Sequence, residues 1–63
     1  MNEEGVLCPV CGRARLLNIL EECPVCAWVH DPTQEEEPDR RRLGNRMSLN
    51  QARAAWARGE EII

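Results

Sequence analysis

The sequence predicts a small metal-stabilised α+β domain, and three observations lead there. All four cysteines fall in two copies of Cys-Pro-Val-Cys, at residues 8–11 and 23–26. The 63-residue chain has Trp28 and Trp56 as its only aromatic residues, with no Phe or Tyr. At about 60 residues, folding buries only about 60% of the surface that the unfolded chain exposes, so so poor a core needs a staple. The third observation is a capped helical pattern near the C-terminus.

The spacing C-x2-C-x11-C-x2-C divides one domain, residues 1–63, into three parts. Residues 6–31 form the four-cysteine part. Each tight turn presents two thiolates, so together the turns supply the four sulfurs of one tetrahedral ion. Pro9 and Pro24 preset backbone φ for these turns, and Gly12 permits the left-handed residue that closes the first. The second turn has Ala27 in that place. Between the turns, "RARLL" and "ILEE" flank Asn18 as the two arms of a short β-hairpin. The architecture is thus a zinc-ribbon or rubredoxin-like knuckle pair with a short β-hairpin and one C-terminal helix.

Residues 32–46 read as a charged connection without regular structure. They hold two prolines, a glycine, an acidic triplet (Glu35, Glu36, Glu37) and a basic one (Arg40, Arg41, Arg42). Helix signals occupy residues 47–59. Ser48 and Gln51 make a capping box, Met47 and Ala52 a hydrophobic staple, and Gly59 a stop. Leu49, Ala52 and Trp56 share one stripe, with Trp56 expected to anchor the helix on the knuckles.

Eight arginines against eleven acidic residues give a net charge of −3. Four thiolates with one Zn²⁺ would carry it to about −5, which opposes nonspecific attraction to a phosphate backbone. The acidic start "MNEEGVL" lacks signal-peptide character, so the expected compartment is the cytoplasm, where paired cysteines more often hold metal than form disulfides. Redox catalysis of the thioredoxin kind needs a single C-x-x-C opening a helix within a βαβ unit, and the chain has neither the helix nor the room. A site whose four positions are all sulfur cannot act as a Lewis acid on substrate. His30 beside Asp31, without a serine or spare cysteine, is no triad. The expectation is therefore a protein that is not an enzyme.

The order "CPVCG", "ECPVCAW", "DPTQ" and "GNRMSLNQA" resembles the bacterial cysteine-rich CPCC family. Cys8, Pro9, Cys11 and Gly12 match its first motif, and Cys23, Pro24, Val25, Cys26 and Trp28 its second. Asp31, Pro32 and Gln34 match the third, and Asn45, Ser48, Leu49 and Ala52 the last. Val10 stands where the family carries an extra cysteine, and His30 where it usually carries an acidic residue. The resemblance implies zinc binding and a bacterial or phage origin, and it supplies no reaction.

The reading that follows is a noncatalytic binding module. One Zn²⁺ is held by Cys8, Cys11, Cys23 and Cys26, and the partner is another protein that the module serves as adaptor or inhibitor. Trp28, His30 and Asp31 are candidate partner contacts; the Trp28 ring either covers the sulfurs or offers a sticky face. Two alternatives stay open. One is a nucleic-acid-binding ribbon using Arg13, Arg15, Arg40, Arg41, Arg42 and Arg46; the other is a rubredoxin-like electron carrier with iron on the four thiolates.

Overall fold

The computed structural model describes residues 5–63. Strand β1 (Val6–Leu7) pairs antiparallel with β2 (Arg15–Leu16), in the register Val6 to Leu16 and Leu7 to Arg15. A single antiparallel bridge joins Glu22 to Val29. Helix α1 (Pro32–Glu36) and helix α2 (Leu49–Ala57) follow.

The hairpin exists, with arms other than those expected. "RARLL" and "ILEE" do not pair across Asn18. Instead β1 and β2 bracket the first Cys-Pro-Val-Cys turn, and the Glu22–Val29 bridge brackets the second. The segment between the turns is held as a compact loop by Glu21. Its carboxylate accepts from the N–H groups of Leu17 (2.7 Å) and Asn18 (2.9 Å), and its own N–H donates to the Asn18 carbonyl. Those bonds satisfy backbone groups that a ladder would otherwise need.

A second correction concerns the charged connection, which contains the short helix α1. Asp31 caps it, its Oδ1 accepting from Thr33 N at 3.0 Å and Gln34 N at 3.4 Å, and Pro32 occupies the first turn where its missing N–H costs nothing. The acidic and basic triplets meet at Arg40 and Glu37, by a surface ion pair at 3.2 Å and a bond from Arg40 N to Glu37 O at 2.9 Å.

Helix α2 lies within the predicted 47–59. Its capping box is formed in both directions: Gln51 N donates to Ser48 Oγ and Ser48 N donates to Gln51 Oε1, each at 3.0 Å. Its end is a Schellman turn, with Gly59 N donating to Trp56 O and Glu60 N to Ala55 O, and Gly59 at φ +75°. The buried stripe is Leu49, Ala52 and Ala55; Trp56 packs at its edge, partly exposed. The core is built by Leu16, Trp28, these three helix residues, Ile62 and the buried cysteines. Trp28 is the fully buried ring of this core, and Trp56 packs against the core from the partly exposed edge of α2, so the expected helix anchor is met in part.

Candidate metal centre

Each knuckle is built by the same local bonds. Cys8 N donates to Ala14 O and Gly12 N to Cys8 O in the first; Cys23 N donates to Trp28 O and Ala27 N to Cys23 O in the second. Both turns close with a left-handed residue, Gly12 at φ +67° and Ala27 at φ +76°. A side chain at that conformation is disfavoured by contact between Cβ and the following carbonyl, so the second knuckle holds strain that the first does not.

The two knuckles bring all four sulfurs within 4.8 Å of one another. Cys8 Sγ lies 3.5 Å from Cys26 Sγ, and Cys11 Sγ lies 3.7 Å from Cys23 Sγ. A regular tetrahedron with metal–sulfur bonds of about 2.3 Å has edges of about 3.8 Å, so the cluster has the size that such an ion requires. Cys8, Cys23 and Cys26 are buried, Cys11 is partly exposed, and none forms a disulfide. The four residues can hold a metal ion.

Backbone N–H groups aim at the sulfurs. Arg13 N lies 3.4 Å from Cys11 Sγ and Val25 N 3.4 Å from Cys23 Sγ. Burial pushes the Cys8 and Cys26 thiols up, by most at Cys26. Burial also opposes ionisation of Cys23, but N–H donors from Cys26 and Val25, together with the Cys11 thiol, outweigh it and bring that thiol down. A bound cation would offset that cost of burial, because a metal ligand is a thiolate.

The remaining candidate residues sit around this centre. Trp28 is fully buried, and its Nε1 donates to Glu35 Oε2 at 3.0 Å. The same oxygen lies 2.9 Å from His30 Nδ1. Asp31 is 8% exposed, with one carboxylate oxygen capping α1 and the other accepting from Gly44 N at 2.9 Å. Gly44 is needed there, since a Cβ would sit 2.9 Å from that oxygen. Trp28 and Asp31 thus turn inward, and His30 is mostly covered on the side of Glu35. Of the arginines, Arg53 joins α2 to the first knuckle by donating to Pro9 O at 2.9 Å. Arg41, Arg42 and Arg46 gather on a separate cleft.

Sequence reasoning missed the polar centre behind the metal site. Gln34 is fully buried. Its Nε2 donates to the carbonyls of Arg40 (3.0 Å), Asn45 (3.2 Å) and Met47 (2.9 Å), and its Oε1 accepts from Asn45 N and Nδ2, both at 2.9 Å. Asn45 in turn imitates a strand neighbour of Val29, accepting from its N–H and donating to its carbonyl at 2.9 Å each. Among the described residues no buried side-chain nitrogen or oxygen lacks a partner. The sequence pointed toward it through the motif matches at Gln34 and Asn45, which mark the two residues without showing that their amides meet.

The fold and the sulfur cluster define a small cysteine-rich, metal-binding module. The chain matches the cysteine-rich CPCC family over residues 6–59 and belongs to that family. No curated protein matches the chain at a significant level.

Proposed function

We propose that the protein is a structural-zinc module without catalytic activity of its own, and that it works by binding another protein. The observation that carries this reading is the closed set of four sulfurs of tetrahedral size, each knuckle adding N–H donors that favour thiolate. With every coordination position filled by protein, the ion organises the chain and offers nothing to a substrate. The binding role draws support from apolar side chains held in the open on the loop between the knuckles: Leu17, Ile19 and Leu20 are 56%, 68% and 61% exposed. Leu20 keeps them there in a left-handed conformation at φ +68°, with its N–H donating to His30 O at 2.7 Å. Strain at exposed apolar residues fits a surface shaped for contact. Among the described residues no helix is long and apolar enough to cross a membrane, and four reduced thiols suit a reducing compartment such as the cytoplasm.

Elemental analysis of protein purified under reducing conditions, from cells given both zinc and iron, tests the centre. One zinc per chain is the expected result; one iron per chain, with the colour of a ferric thiolate site, would replace this reading with electron transfer.

A further inference from the structure

We infer that the cleft lined by Arg41, Arg42, Arg46, Leu43, Met47 and Ile63 is the docking site for an acidic segment of a partner protein, one that sets carboxylates on the arginines and an apolar side chain between them. The inference deepens the protein-binding reading above and rests on it.

The cleft holds about 640 Å³, enough to receive a few side chains. Three arginines line it although the chain has an excess of acid, eleven acidic residues against eight arginines. Three other arginines have partners, Arg40 with Glu37, Arg58 with Glu60 and Arg53 with Pro9 O, while Arg13 stands apart on the first knuckle. Among the described residues, no hydrogen bond or ion pair engages the side chains of Arg41, Arg42 and Arg46. Three like charges gathered without counter-charges repel one another, and an incoming anion relieves that repulsion. Their positions are also fixed. Arg42 is held at φ +64° in a turn pinned by Arg42 N to Arg46 O and Leu43 N to Asn45 O. Behind the turn, the buried Gln34 holds the carbonyls of Arg40, Asn45 and Met47.

The rest of the lining decides the kind of anion. Leu43 and Ile63 are 43% and 55% exposed, which rewards an apolar side chain and gives a phosphodiester nothing. Leu20 extends this apolar ground: its Cδ2 lies where it would come within 3.3 Å of a Cβ on Gly44, the neighbour of Leu43. Single-stranded nucleic acid is gripped by aromatic faces that stack its bases. This chain has only two aromatic rings; Trp28 is fully buried and Trp56 packs on the core. Carboxylates interspersed with leucine-like side chains match every part of the cleft, and planar guanidinium groups take carboxylates in pairs.

The test uses the metal-loaded full chain and a fluorescein-labelled peptide of alternating Glu, Asp and Leu, followed by fluorescence anisotropy at two salt concentrations. Binding is expected to weaken at higher salt, and to fall by about tenfold or more in the Arg42→Glu/Arg46→Glu double variant. Arg13→Glu, an exposed arginine of the first knuckle, should leave it unchanged, and a peptide with Ser for Leu should bind less well. Metal content is measured on every sample. A chain that keeps one metal ion yet ignores the peptide, or binds it equally well in the double variant, overturns this inference alone. An oligonucleotide that displaces the peptide at lower concentration overturns it in favour of nucleic acid. If random-peptide display on the metal-loaded chain enriches peptides insensitive to the double variant, the protein-binding reading stands without this site; if it enriches none, that reading falls as well.

Discussion

The carboxamides of Gln34 and Asn45 face each other at 2.9 Å in the buried centre of the molecule, Asn45 Nδ2 donating to Gln34 Oε1. Between them they tie α1, the 40–47 turn and the second knuckle into one unit, through six further bonds to backbone at Arg40, Asn45, Met47 and Val29. Replacing Gln34 by Leu keeps the volume and removes the partners of buried backbone groups. Each orphaned group costs about 1–3 kcal/mol, so Gln34→Leu should lower stability by more than about 3 kcal/mol. Chemical denaturation of the metal-loaded protein measures it, and a loss under 1 kcal/mol would show that the amide is dispensable.

The unequal knuckles predict a mutation that stabilises. Ala27 sits at φ +76°, where a Cβ costs about 1–2 kcal/mol. Ala27→Gly should therefore gain about 1 kcal/mol, less what the extra freedom of glycine in the unfolded chain takes back. Gly12→Ala is the mirror experiment. A Cβ there meets nothing within 4 Å, so the expected loss of about 1 kcal/mol is conformational alone. Midpoints of denaturant unfolding, compared at equal metal loading, check both signs.

Removing the ion should unfold the chain. Structural zinc contributes about 10–16 kcal/mol of apparent binding free energy in small zinc domains at neutral pH, and the remaining core is sparse. A chelator added to reduced protein should collapse the dispersion of its amide NMR spectrum, and zinc should restore it. Cys23→Ser should behave like the chelated protein; a compact, metal-free Cys23→Ser variant would show that the core suffices.

The two tryptophans should respond differently to substitution. Trp28→Phe keeps the ring in the core and deletes the donor to Glu35 Oε2, leaving that oxygen with His30 alone, at a cost of about 1–3 kcal/mol. Trp56→Phe, at the partly exposed edge of α2, should cost less than about 1 kcal/mol. Thermal unfolding of both variants ranks them, and equal losses would remove the distinction.

What could be read from the sequence was whatever is local. The cysteine turns, the capping box at Ser48 and Gln51, and the stop at Gly59 each depend on residues within one turn of chain, and all are found where expected. The misses have different causes. The start of α1 is itself local, an Asp31 cap with Pro32 in the first turn, and was masked by the charge runs that follow it; the arms that pair are those bracketing each knuckle, which the weak alternation of the chain does not mark. That Gln34 meets Asn45 and Met47 is not legible in the sequence, because they lie eleven and thirteen positions away. The strained Leu20 and Arg42 look ordinary in sequence, because only the folded backbone shows a left-handed residue.

The two thiol-bearing turns share one further property: each is closed by contacts that reach no more than six residues, from Cys8 to Ala14 and from Cys23 to Trp28. The four sulfurs thus sit on two locally closed turns joined by a short strap. A strap of about ten residues closes in about 10–100 ns, far faster than ions are delivered at cellular concentrations. If the centre holds metal as proposed, maturation should wait on metal supply, and the abundance of the protein in a cell starved of that metal should fall with it.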